Sequence, residues 1–238
     1  MDSADVKHPN LTLAFFIAVS IFGLFLSTFF VFHPFTLQDG LAHRKLAAGT
    51  AFSMLCVLGI FATFFPSSCS AFPKFKKRNK PKNSTPAVHE TAFQAHHPSC
   101  DNYSTHILMI GKTKFCATCS GLLVGATFVL LGTGLYFFGN YRLGDPFLLF
   151  SVGIAGVALG LIQSAFPKFS GGLTRFLASV LFVLGTFLML VGVDDAVKNV
   201  SIDIFFVSLS VLWILTKIAL SQRDHQRICS QCSRESCV

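Results

Sequence analysis

Long apolar stretches alternate with short polar segments along the whole chain, and six of them are free of charged residues across their middle. An α-helix rises about 1.5 Å per residue, so roughly 20 apolar residues cross the roughly 30 Å of a bilayer's hydrocarbon core. Proline residues stand at or beside several boundaries, where helices are expected to end. The pattern predicts six transmembrane helices, at Leu11–Phe32, Leu46–Phe65, Ser120–Gly139, Pro146–Phe166, Leu173–Val193 and Ile204–Leu220.

The spacing of these stretches predicts an all-α protein in four parts. A transmembrane hairpin (1–66) precedes a long polar loop (67–119), a four-helix transmembrane unit (120–221) and a Cys-rich tail (222–238). Glycines repeat at a four-residue interval in the third and fourth stretches, which lets helix backbones approach closely. Because only Asn140 to Asp145 separates these two helices, we expect them to pack as a tight antiparallel pair.

Composition supports a membrane setting. Hydrophobic residues make up 52% of the chain and charged residues only 13%, about half the charged share of an ordinary soluble domain. So few charges would not coat a soluble globule of 238 residues, whereas lipid removes that need. Arg175 and Lys217 fall near span ends, where long side chains are expected to snorkel to the interface.

The basic residues are unevenly distributed and predict the orientation. Most of the Lys and Arg lie at the N-terminus, in the loop 66–119, near Lys168 and in the tail, and few lie on the other side. The positive-inside rule therefore predicts that both termini and the loop are cytoplasmic. The basic run Lys74–Lys82 sits between membrane spans, so anionic lipid head groups are its expected partner and nucleic acid is not. No protein partner can be named from the sequence.

The loop contains the one concentrated set of chemically active side chains. His97-x2-Cys100 and Cys116-x2-Cys119 are separated by fifteen residues, which is zinc-ribbon spacing with His in place of the first Cys. A two-residue gap lets both side chains turn toward one ion, and two such half-sites supply four tetrahedral ligands. Zinc is thus the predicted cofactor. The weaker candidate ligands are His96 and His106 in the loop, and His225, Cys229, Cys232 and Cys237 in the tail.

Three functions stay open at this point. The first is a non-enzymatic membrane protein whose cytoplasmic loop folds around a structural or sensory zinc ion. The second is a membrane thiol–disulfide oxidoreductase, since Cys116 and Cys119 stand at a predicted helix N-terminus, where the helix dipole lowers a thiol pKa. The third is a small-solute transporter or channel, for which the spans offer few polar groups. The chain contains no phosphate-binding loop, nucleophile elbow or metalloprotease motif, which favours a non-enzymatic role.

The run from Gly111 to Gly125, GKTKFCATCSGLLVG, with His97-Pro-x-Cys100 before it, resembles a family of small archaeal and bacterial membrane proteins. Their signature is Cys-Ala-Arg-Cys-Thr-Gly-Ile-Tyr-x-Gly after an upstream Cys/His element. The likeness covers about 30 of 238 residues, and this chain has Thr118 where the family has Arg. The resemblance implies that the Cys/His element and the glycine-bearing helix form one module. It implies no activity.

Overall fold

A computed structural model describes residues 8–33, 43–64, 106–110, 113–166 and 171–231. Within these ranges the chain forms helices and one two-stranded hairpin. In chain order they are α1 His8–Phe32, α2 Arg44–Phe64, β1 Ile107–Ile110, β2 Thr113–Cys116, α3 Ala117–Thr133 with a π-helical continuation Gly134–Phe138, α4 Pro146–Ala165, α5 Gly172–Val197 and α6 Val200–Gln231.

All six helices are long and apolar enough to cross a bilayer, so the protein is an all-α integral membrane protein. Five of the predicted spans agree with the helices to within a few residues. The sixth does not, because α6 begins at Val200 and continues to Gln231, well beyond the predicted end at Leu220. Asp203, Lys217 and Asp224 fall on α6, and each has a polar partner inside the protein, so the helix does not end where charge begins.

The most enclosed helix is α5. More than half of its apolar span, 56%, is buried within the protein, against 22% for α1, α2 and α4. A Cβ atom added to Gly121 of α3 would lie 2.4 Å from the Phe176 carbonyl oxygen, and one added to Gly156 of α4 would lie 2.7 Å from that of Leu181. Both acceptors belong to α5, so α3 and α4 each press their glycines against this central helix.

This packing corrects the predicted pairing of the third and fourth helices. The small residues do mark close backbone approaches, but the partner of both helices is α5 rather than each other. Gly185 of α5 completes the seam, since a Cβ there would lie 2.7 Å from the Gly153 carbonyl oxygen. A small-residue face permits close approach to any helix, and a short connection does not select which one.

The N-terminal hairpin docks on the four-helix unit mainly through α6 and α3. On α1, Ser20 Oγ lies 2.8 Å from Thr216 Oγ1 of α6, and the indole of the fully buried Trp213 donates to the Ser20 carbonyl oxygen at 3.3 Å. On α2, Phe52 stacks against Phe187 of α5. The two α1 contacts satisfy polar groups that lipid could not.

Two ends of the bundle can now be distinguished. The hairpin end holds the β-hairpin, the beginnings of α3 and α5, and the C-terminal part of α6. The far end holds the beginning of α2, the ends of α3 and α5, and the beginning of α6. The sequence predicts a loop before α3, whereas the structure has the β-hairpin there. It pairs Ile107 with Cys116 and rests on α5, where a Cβ on Gly172 would lie 2.4 Å from the Ile107 carbonyl oxygen.

A buried ionic cluster occupies the far end and consists of Arg44, Tyr136, Asp194 and Asp203. The Arg44 guanidinium forms an ion pair with Asp194, donates to the Asp194 carbonyl oxygen at 3.2 Å, and pairs with Asp203 Oδ2 at 2.8 Å. The Tyr136 hydroxyl donates to Asp194 Oδ2 at 2.7 Å. This far-end cluster joins the beginning of α2 to the last turns of α5 and the first turn of α6. The sequence did not reveal it, because its members are scattered along the chain.

Candidate metal centre

The hairpin end places two cysteines at the start of α3. Cys116 is the last residue of β2 and the N-cap of α3, and Cys119 lies in the first turn of the helix. Both side chains are half-buried and both thiols are free of disulfides. Strand pairing sets the position of Cys116, because its partner Ile107 is held against the beginning of α5. The hairpin therefore fixes the helix N-terminus that carries the two thiols.

The electrostatic surroundings favour a thiolate at Cys116. A hydrogen bond from the Cys119 side chain lowers the pKa of Cys116 to about 6, against the opposing effect of burial. The backbone N–H groups of Cys119 and Thr118 lower this pKa further, and the Arg175 guanidinium contributes from α5. A helix N-terminus stabilises a thiolate in the same way. Since thiolate is the form of cysteine that binds metal, Cys116 is suited to that role.

His106 immediately precedes β1 and is buried against the helix ends. Its Nδ1 lies 3.2 Å from Arg175 Nη1, and its Nε2 lies 3.2 Å from Asp224 Oδ2. Because arginine can only donate, Nδ1 accepts and the ring proton belongs on Nε2, which faces the carboxylate. Both ring nitrogens thus face partners on α5 and α6. His106 ties the hairpin to the bundle and is the least suited of the candidate ligands.

Arg175 and Lys217 correct the snorkelling prediction. Arg175 is buried and both of its terminal nitrogens lie 3.2 Å from Asp224 Oδ2. The Lys217 ammonium donates to the Gly160 carbonyl oxygen at 3.2 Å and to Ser164 Oγ at 3.0 Å, and it lies over the Phe182 ring. Both charged groups are buried in the bundle. Each has acceptors within the protein, which is why each can sit inside an apolar bundle.

The remaining candidate ligands lie outside the residues whose side chains are described. These are His96, His97, Cys100, Cys232 and Cys237, together with His225 and Cys229, which fall on the last turns of α6. The basic run Lys74–Lys82 also lies outside the described residues. Among the side chains that are described, no third His, Cys, Asp or Glu joins Cys116 and Cys119 in a group able to hold a metal ion. Any further ligands must come from elsewhere in the chain.

No known protein family, curated protein or solved structure matches this chain. The resemblance noted from the Cys116–Cys119 segment therefore stays a prediction.

Proposed function

We propose that this integral membrane protein holds a structural or sensory zinc ion in its loop, with His97, Cys100, Cys116 and Cys119 as ligands. The observation that supports it is the placement of Cys116 and Cys119 together, half-buried and reduced, in the first turn of a helix fixed by a β-hairpin. Two thiols in one helical turn are half of a closed tetrahedral zinc site.

The chain before the β-hairpin is long enough for His97 and Cys100 to supply the other two ligands. Cys100 precedes Ile107 by seven residues, which span at most roughly 25 Å when fully extended. Ile107 is paired with Cys116, so the segment before it starts beside the two thiols. His97-x2-Cys100 is therefore within reach of the same ion without any change in the bundle.

Charge favours this ligand set as well. A zinc ion with three thiolates and one neutral imidazole has a net charge of about −1. Arg175 and Lys217 are buried at the hairpin end with Asp224 as the carboxylate paired there, so the buried side chains that are described leave one positive charge to be balanced. When bound, zinc would supply a cross-link between the loop and α3. Cys116 and Cys119 hold the ion, and Arg175 stabilises the thiolate form.

The orientation belongs to the same proposal. The excess of Lys and Arg on the side of the termini favours a cytoplasmic location for the hairpin end. Thiols stay reduced there, which favours metal binding over a structural disulfide. The predicted contact of Lys74–Lys82 with anionic head groups would hold the loop against the same membrane face.

The test is the metal content of the purified full-length protein. We expect about one zinc per chain, reduced at least tenfold by Cys116→Ser, Cys119→Ser, Cys100→Ser or His97→Ala. Cys56→Ser is the matched control, because Cys56 is buried within α2 and should leave the zinc content unchanged. Cys232→Ser tests whether the tail contributes. A folded wild-type protein that carries no zinc, and acquires none on incubation with it, contradicts the proposal.

A thiol–disulfide oxidoreductase is the second candidate, and the lowered pKa of Cys116 favours it. In that case Cys116 thiolate would attack a substrate disulfide, forming a mixed disulfide and releasing one substrate thiol. Cys119 thiolate would then displace the second thiol, leaving a Cys116–Cys119 disulfide. The Cys119→Ser variant separates the two functions. An oxidoreductase would accumulate the mixed disulfide, whereas a structural zinc protein would simply lose its metal.

A further inference from the structure

The far-end cluster contains more buried carboxylates than cations. Asp194 and Asp203 are both fully buried, and among the described residues Arg44 is the one guanidinium that pairs with them. This burial comes from the protein itself and does not depend on lipid. With both carboxylates ionised, the cluster would have one uncompensated negative charge inside the bundle. Burying an unpaired charge is costly, and proteins avoid it by binding a counter-ion or a proton.

Asp203 provides an independent observation that points to the occupant. One of its oxygens, Oδ2, accepts from Arg44, but Oδ1 is buried and receives no hydrogen bond from any residue that the structure describes. The side chains of Asp203 and Asp194 lie within hydrogen-bonding reach of each other. Two ionised carboxylates can only accept, so this contact becomes a hydrogen bond when one of them carries a proton.

The neighbouring groups that the structure describes do not supply the missing positive charge. Lys45 of α2 donates to Asn140 Oδ1 at 3.2 Å and lies over the Tyr136 ring at 4.5 Å. Tyr136 already donates to Asp194, and Asp195 of α5 is half-buried and adds negative charge near Tyr136. Lys198, after α5, is exposed, and Asp145 caps α4 by accepting from the Leu148 N–H.

A metal cation fits this arrangement poorly. Metal ions such as Mg²⁺ and Ca²⁺ require six or more oxygen ligands, and here three of the four carboxylate oxygens already accept from Arg44 or Tyr136. The Arg44 guanidinium also contacts both carboxylates and would repel a second cation. Two carboxylates that share a site hold one proton between them, since both cannot ionise together cheaply.

We propose that the far-end cluster is a proton-binding site, in which Asp194 and Asp203 together hold one proton that makes the cluster electrically neutral. This site is separate from the proposed zinc centre and lies at the opposite end of the bundle. The proton reduces the repulsion between two carboxylates on α5 and α6 and so preserves the attachment of α2 through Arg44. Loss of the proton as the pH rises therefore weakens this attachment.

The first test is infrared spectroscopy of the full-length protein in lipid nanodiscs at neutral pH. The wild type should show the carbonyl stretch of about one protonated carboxylic acid per chain. Asp203→Asn should abolish that band, and Asp195→Asn, the half-buried neighbour, should leave it unchanged. Absence of a protonated-acid band from the wild type at neutral pH would overturn the proposal, whatever the variants do.

The second test separates the two carboxylates by stability. Asparagine at position 203 imitates a protonated acid, so Asp203→Asn should keep the wild-type melting temperature at neutral pH. It should also remove the decrease in melting temperature that we expect for the wild type as the pH is raised. Asp194→Asn should melt well below the wild type, because Arg44 and Tyr136 both depend on its charge. Equal destabilisation by both variants would mean that both carboxylates are ionised. Stabilisation of the wild type by sodium at fixed pH would indicate that a metal cation binds instead of a proton. Either result contradicts the proposal.

Discussion

The two ends of the bundle bury the same residue types in opposite proportions. At the far end one arginine meets two aspartates, Asp194 and Asp203. At the hairpin end Arg175 and Lys217 are buried, and Asp224 is the carboxylate that pairs with Arg175. Among the buried side chains that the structure describes, the far end thus has an excess of negative charge and the hairpin end an excess of positive charge.

This difference in buried charge explains why we expect a proton to bind at the far end and a zinc ion at the hairpin end. A proton neutralises an excess carboxylate, whereas a zinc–thiolate shell or a free thiolate neutralises an excess cation. The cysteines lie at the positive end, and Arg175 lowers the pKa of Cys116 there. The arrangement also shows that buried contacts between polar side chains join elements of this bundle. Arg44 attaches the N-terminal hairpin, and Asp224 with His106 attaches the β-hairpin.

The largest expected effect comes from removing the single guanidinium of the far-end cluster. Arg44→Gln leaves two buried carboxylates without their cation, and breaking a buried pair from one side costs about 3–5 kcal/mol. The adjacent Lys45→Gln is the matched control and should cost under about 1 kcal/mol, since Lys45 is only half-buried. Reversible unfolding in mixed micelles at neutral pH measures both. Similar costs for the two variants would mean that the far-end cluster contributes little to stability.

The corresponding change at the hairpin end is Asp224→Asn. It removes the carboxylate that faces Arg175 and His106, and we expect a loss of about 3 kcal/mol, at the lower end of the range for a buried pair because Asp224 lies near the rim. Arg223→Gln, one residue earlier and exposed, should change stability by under about 0.5 kcal/mol. The β-hairpin should also loosen, which alkylation of the metal-free protein would detect as faster modification of Cys119.

A smaller effect on stability is expected from substituting two glycines of α5 that pack closely against other elements, one at each end of the bundle. A Cβ on Gly172 would lie 2.4 Å from the Ile107 carbonyl oxygen, and one on Gly192 would lie 2.7 Å from that of Pro146. Each alanine substitution should cost about 1–3 kcal/mol through overpacking. Hydrogen exchange distinguishes them, because only Gly172→Ala should speed exchange of the Ile107–Ile110 amides.

Gly171→Ala is the control for that comparison. A Cβ at this position meets nothing closer than Thr174 Oγ1 at 3.9 Å, so hairpin exchange should stay at the wild-type rate. If Gly192→Ala accelerated hairpin exchange as much as Gly172→Ala, the two ends would not be separable structural units.

The smallest effect concerns the thiol itself. In zinc-free protein the alkylation rate of Cys116 should reach half its maximum near pH 6, because the thiolate is the reactive form and the pKa of Cys116 is about 6. An ordinary cysteine would reach that point near its usual pKa of about 8.5. Cys119→Ser weakens the leading stabilising contact and should move the midpoint of Cys116 upward. An unchanged midpoint would assign the lowered pKa to the helix and Arg175 instead.

The sequence predicted the membrane helices well because hydropathy reports directly on contact with lipid. It predicted α6 less well, since the rule that a span ends at its charges fails when those charges are paired inside the protein. Asp203, Lys217 and Asp224 are such charges. The far-end cluster was invisible for the same reason. Arg44 and Asp194 are 150 residues apart, and no local pattern records their contact.

The candidate site was predicted in part. The spacing of Cys116 and Cys119 revealed their partnership, because residues three apart share one face of a helical turn. The β-hairpin was missed, as Ile107–Ile110 and Thr113–Cys116 are short strands between polar segments. The role of His106 was missed with it. A histidine beside two cysteines indicates a ligand, and only the fold reveals Arg175 and Asp224 against its ring.

X-ray absorption at the zinc edge tests the central claim most directly. For the purified full-length protein the account predicts a four-coordinate shell of about three sulfurs at about 2.3 Å and one nitrogen at about 2.0–2.1 Å. Cys116→Ser should degrade that shell, and Cys56→Ser should leave it intact. A zinc ion surrounded by oxygen and nitrogen alone, or a folded protein without zinc, would contradict the account.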